Sequence, residues 1–164
     1  MIHRFARFTL AVSEISRCWH KLAGEELAKY GLKGPHAIYL TAMYRYPEGI
    51  TVPQLCELCG KDKSDASRKL AILEQKGLVK KQVVDGSHYR GKLQLTVEGK
   101  LAAEHVCRRA SRAVEAAGRD LTKEEREIFY RSLDSITANL RELCKEGISQ
   151  EPRYLREHNR ILYS

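Results

Sequence analysis

Residues 61 to 92 concentrate the charge of this chain. They hold nine cations, among them Lys61, Lys63, Arg68, Lys69, Arg90 and Lys92, against the four acids Asp62, Asp65, Glu74 and Asp85. The full 164 residues carry a net charge of +8, and this segment alone accounts for +5 of it. A basic patch confined to one module is the electrostatic footprint of a polyanionic partner; the competing reading is a charged face that meets only water. Five cysteines, Cys18, Cys56, Cys59, Cys107 and Cys144, are the other reactive groups. An odd number in a chain without a secretory signal points to reduced thiols. Cys56 and Cys59 have the spacing of a redox or zinc pair. No second such pair exists, however, and both fall on one helical face with Val52 and Leu55, so they read as small core hydrophobes. Cys18 lies between Arg17 and Trp19 with His20 next, and a nearby cation would favour the thiolate that reactivity needs. There is no glycine-rich phosphate loop, metal-ligand cluster or nucleophile motif. The expectation is a protein that is not an enzyme and holds no metal and no cofactor.

Composition sets the frame for these groups. Apolar residues make up 43% and charged residues 30% of the chain, as in an ordinary soluble domain of this length. No apolar run approaches the ~20 residues of a membrane span. The opening Met1-Ile2-His3-Arg4-Phe5-Ala6-Arg7-Phe8 mixes charges with its apolar residues, unlike a signal peptide. A cytoplasmic location with no membrane partner follows as the expectation.

The elements that must position the basic segment are legible from period and punctuation. Phe5, Phe8, Val12, Ile15, Trp19 and Leu22 recur every three or four residues, the stripe of a long helix. Pro35 opens a second helix that runs to about Tyr46. Thr51-Val52-Pro53-Gln54 is a capping box for a third, which Gly60 closes. Asp62 caps a fourth that buries Ala66, Leu70 and Leu73 and stops at Gly77. Only about three residues separate these two short helices, the spacing of a helix-turn-helix. Leu78 to Val84 then turns extended and β-branched, Asp85-Gly86 marks a turn, and Lys92 to Thr96 alternates like a returning strand. Two strands joined by a basic loop behind a helix-turn-helix make a wing. Thr96 caps another helix, with Ala103, Val106, Ala110, Ala113 and Ala117 on one stripe. Thr122 to Glu125 is a second capping box, before Phe129, Leu133, Ile136, Leu140 and Leu143. A short helix is expected near Tyr154 to Leu162 in an otherwise weakly structured tail. Three long stripes exceed what one small winged helix can cover. Either they pack on one another within one chain, or a second copy covers them, and a two-fold dimer is the expectation.

The stretches Gly49 to Cys56, Lys61 to Leu70, Leu73 to Val79 and Leu95 to Gly99 resemble the MarR-type winged-helix transcriptional regulators. Asp62-Lys63-Ser64 with Ser67-Arg68 is similar to that family's recognition helix. Leu73-Glu74-Gln75-Lys76-Gly77-Leu78-Val79 matches its exit into the wing, and Leu95-Thr96-Val97-Glu98-Gly99 its return. The resemblance implies a mainly α fold with a small β wing. Residues 35–96 would form the winged helix-turn-helix; residues 1–34 and 97–164 would be dimerisation helices intertwined with it. It further implies a homodimer that binds double-stranded DNA sequence-specifically, regulates transcription, and responds to a small molecule or to an oxidant, for which a first-helix cysteine, here Cys18, is the candidate redox thiol. The alternative reading is a winged-helix protein–protein module whose basic patch meets an acidic partner.

On this resemblance the fourth helix presents Lys63, Ser64, Asp65, Ser67, Arg68 and Lys69 to DNA. Arginine can grip guanine or phosphate and serine can serve several base edges. Asp65 either accepts from a cytosine amine or supports the helix N-terminus. Thr51 and Gln54 either touch phosphate or serve only their capping box. The wing loop Asp85-Gly86-Ser87-His88-Tyr89-Arg90-Gly91-Lys92 departs from the family's Asp-x-Arg tip, since Arg90 lies too far from Asp85; His88, Arg90 and Lys92 are the wing candidates, with Arg90 suited to a narrow minor groove. Trp19, Tyr39 and Tyr44 belong to an aromatic cluster that either lines an effector cleft or packs the core.

Overall fold

The structure, a computed structural model, describes residues 2–84 and 87–147; nothing is described of the side chains of residues 2, 4, 5, 83, 84 and 87–90. The first helix, α1, runs Ile2–Leu27 and ends in a 3₁₀ turn, Ala28–Tyr30, that Gly31 closes at a φ of 67°. A second 3₁₀ turn, Gly34–His36, carries Pro35 and leads into α2, Ala37–Tyr44. Gly34 is required there by contact rather than by conformation: a Cβ on it would lie 1.9 Å from the carbonyl oxygen of His20. Its missing side chain lets the turn lie directly on the backbone of α1.

The next elements are short because each is capped on both sides. Helix α3, Val52–Cys59, starts at the Thr51 box and ends at Gly60 in the left-handed region. Helix α4, Lys63–Gln75, starts at Asp62. Strands β1, Val79–Val84, and β2, Ser87–Leu95, pair antiparallel, with Val79 opposite Leu95 and Lys81 opposite Leu93. A register irregularity falls between Gln82 and Val84. Ile50 adds an isolated bridge outside these strands: it exchanges both backbone hydrogen bonds with Leu93, at 3.0 and 2.8 Å. Helix α5, Val97–Ala117, begins where Thr96 Oγ1 accepts from Gly99 N–H at 3.0 Å.

The chain divides into two units, Met1–Ala116 and Ala117–Ser164. The core of the first gathers one face from every element. Leu27, Tyr39, Leu40, Leu55, Leu73, Leu78 and Leu93 are sealed from solvent, together with Ala102 and Ala103 of α5. In α1 the stripe behaves differently. Trp19 and Leu22 are half-buried, whereas Phe8, Val12 and Ile15 are exposed; the side chain of Phe5 lies outside the described residues. The second unit is built on α6, Lys123–Glu146, whose Thr122–Glu125 box is formed as expected. All five residues of its apolar stripe, Phe129 to Leu143, are 40–48% exposed. The expected tail helix near Tyr154 lies outside the described residues. Among those described, no helix is long and apolar enough to cross a membrane.

Candidate nucleic-acid interface

The cationic face is built by two caps and one long-range tie. In α3, Thr51 Oγ1 accepts from Gln54 N–H at 3.4 Å, and Thr51 N–H donates to Gln54 Oε1 at 3.1 Å. In α4, the Asp62 carboxylate accepts from Asp65 N–H at 2.7 Å. Ala66, Leu70 and Leu73 then point into the core, so the helical period turns Lys63, Ser64, Ser67 and Arg68 to solvent. Arg68 keeps 68% of its side chain exposed. Its Nη1 donates to Ser64 Oγ at 3.1 Å, one turn back, and its other Nη is 3.8 Å from Asp65. Lys69 lies on the flank of the helix, 3.5 Å from Asp65 and only 25% exposed. The buried Tyr39 of α2 donates its hydroxyl to Asp65 Oδ2 at 2.9 Å. That bond, with the cations beside it, holds the Asp65 carboxyl below its usual range, while burial raises the Tyr39 hydroxyl. Lys81 of β1 reaches Glu74 of α4 at 3.2 Å and ties the base of the wing to the helix.

Behind this face, α1, α2 and α5 enclose a mostly apolar cavity of about 260 Å³. Trp19 and His20 of α1, Ile38 and Thr41 of α2, and Val106 and Arg109 of α5 line it. A separate depression of about 340 Å³ borders Tyr44, Tyr46, Leu95 and Lys100.

The MarR family model matches residues 30–88, from the end of α1 into the wing. No curated protein matches the sequence. Among solved structures, a MarR family regulator from Listeria monocytogenes complexed with a 26mer DNA superposes with a TM-score of 0.77 at 20% identity, covering 88% of this chain and 97% of that one. A MarR regulator from Methanosarcina mazei gives 0.75 at 22% identity, over 84% of this chain and 99% of that one. The S. aureus MepR–DNA complex gives 0.71 at 19%, over 80% and 97%. The chain has the winged-helix fold of these MarR regulators. Its described elements run from the long α1 through the two-stranded wing to the long α5 and α6.

Within the MarR-type frame, the structure brings Lys63, Ser64, Ser67 and Arg68 onto one exposed face, with Lys69 at its edge. Thr51 and Gln54 are spent on each other, although Gln54 stays exposed. Asp65 is committed to Tyr39 and to the two cations of its own helix. Lys92 is half-buried in β2, whereas the side chains of His88 and Arg90 lie outside the described residues. Trp19, Tyr39 and Tyr44 do not share one cleft: only Trp19 lines the α1–α2–α5 cavity, Tyr39 is core, and Tyr44 borders the other depression. Cys59 is buried and Cys56 half-buried. Burial pushes both thiols up, Cys59 to about 11, so they stay protonated at neutral pH. Cys18 is exposed, but Arg17 beside it is engaged by Glu14, whose carboxylate also lies 3.7 Å from the Cys18 sulfur. Three residues were missed from sequence: Ile50 as a bridge to β2, Tyr39 as the partner of Asp65, and Arg109 as a cationic group of the cavity. Ile50 follows a Pro-x-Gly turn, a weak strand signal; the other two depend on contacts between distant segments and leave no local trace.

Proposed function

We propose that this chain binds double-stranded DNA sequence-specifically, as a cytoplasmic homodimeric transcriptional regulator that is not an enzyme. The observation that carries the reading is the face of α4: Lys63, Ser64, Ser67 and Arg68 are all turned to solvent on a helix fixed at its start by Asp62 and from behind by Tyr39. A rigid helix with unburied donors fits a major groove. Two structures of the same fold are described as DNA complexes. Residues 35–96 form the reading head in this proposal, and 1–34 with 97–164 supply the dimer contacts, through the exposed stripes of α1 and α6. A small-molecule effector has a place to sit in the cavity under Trp19, where a shift of α2 would reach α4 through Tyr39 and Asp65. An oxidant would reach Cys18, which is exposed, as is Cys144.

Selection of duplexes from a random pool by the purified chain tests the reading. An enriched site with two half-sites about one helical turn apart is expected. Affinity for it should fall steeply with salt. Arg68→Ala should weaken binding to that site by roughly 1–3 kcal/mol, read by fluorescence anisotropy. Salt-insensitive binding, or no enriched sequence, overturns the proposal. In the latter case, capture of an acidic polypeptide by the same face would favour the protein–protein alternative.

A further inference from the structure

A second concentration of positive charge lies away from the α4 face, in a groove between the end of α1 and the middle of α5. The groove is open to solvent and offers about 420 Å³. His105, Arg108, Arg109 and Arg112 reach it from α5, at the spacing that puts four side chains on one side of a helix. Glu26 and Lys29 reach it from α1 and the turn after it. The acids present are already committed. Glu26 is 2.5 Å from Lys29 and 3.8 Å from His105, and Glu25 pairs with Arg109. Arg108 and Arg112 have no acidic partner among the described residues, and the Nε–H of Arg109 is buried without an acceptor. Three guanidinium groups therefore converge on one space with donors to spare and too few negative charges to balance them.

Such an arrangement is unfavourable when empty, because like charges one turn apart repel and a buried donor without an acceptor carries its desolvation cost uncompensated. An oxyanion removes both defects. Guanidinium forks match the oxygens of carboxylate and phosphate in pairs, and these charge-assisted bonds are among the stronger ones available. The cavity is too large for one monovalent ion and suits a molecule with two or more anionic groups. We propose that this α1–α5 groove is a binding site for a small multivalent oxyanion, a phosphate ester or a polycarboxylate, independent of the DNA face. Arg108 and Arg112 would contribute the free charge, and Arg109 would close over the ligand with its unused Nε–H.

Isothermal titration of the full chain with pyrophosphate and, separately, with citrate, at ionic strength held constant with chloride, tests this. Saturable binding of one ligand per chain is expected for at least one probe. The probe that binds tells a phosphate ligand from a carboxylate one. Arg108→Gln with Arg112→Gln should weaken binding by on the order of tenfold, as expected for the loss of two solvent-exposed ionic contacts. A control pair with the same charge change on the reading head, Lys61→Gln with Lys80→Gln, should leave it within twofold. Absence of saturable binding of both probes overturns the site. So does an equal loss in the two double variants, which would show diffuse attraction to a basic protein.

Discussion

His36 shows how much one buried side chain adds to the conditions under which this fold holds. It is 5% exposed, its Nδ1 lies 3.0 Å from the Lys33 carbonyl oxygen and 3.2 Å from the Lys33 amide nitrogen, and its Nε2 is buried without a partner. Burial lowers its pKa from the ordinary 6.5; the Lys33 backbone bond opposes that shift, Lys69 and Lys33 add to it, and Asp65 again opposes it. The folded chain thus takes up the proton less readily than the unfolded one. Stability from this residue is full above about 6.5 and is lost as the pH falls through the lower, folded value. Urea unfolding at pH 7.5 and pH 5 should show the wild type weaker at pH 5, with His36→Gln losing less between the two. An equal loss in both proteins would remove His36 from the account. None of this was legible in the sequence, where His36 is merely the residue after Pro35. The Cys56–Cys59 pair was legible, because its apolar neighbours Val52 and Leu55 share its helical face.

At the scale of elements, local chemistry was readable and contacts between elements were not. The boxes at Thr51 and Thr122, the Asp62 cap and the glycine stop at Gly60 each act within four residues, so spacing alone locates them. The wing followed from a change of period after Gly77. The tie between α2 and α4 joins residues 26 apart in the chain, and nothing near Tyr39 or Asp65 announces it. Yet this bond connects the two sides of α2. One side lines the cavity through Ile38 and Thr41, and Tyr39 holds the start of α4. Tyr39→Phe keeps the ring in the core and removes only the hydroxyl, so it should cost on the order of 1 kcal/mol of stability. It should also loosen α4 enough to lower affinity for a selected DNA site several-fold while leaving the salt dependence unchanged, because no phosphate contact is lost. Denaturant unfolding and anisotropy titrations read the two effects. Unchanged affinity alongside reduced stability would mean that the tie serves the core alone.

At the scale of the whole molecule, the exposed stripes raise the question of what covers them. Isolated large apolar side chains on a surface need no explanation, but a contiguous row does. Phe129, Leu133, Ile136, Leu140 and Leu143 form such a row along α6, and Phe8, Val12 and Ile15 form another on α1. Both rows have the helical spacing of faces that pack on other helices. A second copy of the chain supplies matching rows at no further cost in sequence, and a two-fold arrangement would present two α4 faces to one duplex. Leu133→Glu with Leu140→Glu places two charges in the α6 row without touching α4, its caps or its tie to Tyr39. Sedimentation should find the wild type dimeric and the double variant monomeric, with its helical signal by circular dichroism retained. The variant should then bind a single half-site only weakly and lose most of its affinity for the full site, since each chain must bind alone. A variant that stays dimeric, or a monomer that keeps full-site affinity, would show that these rows do not hold two reading heads together.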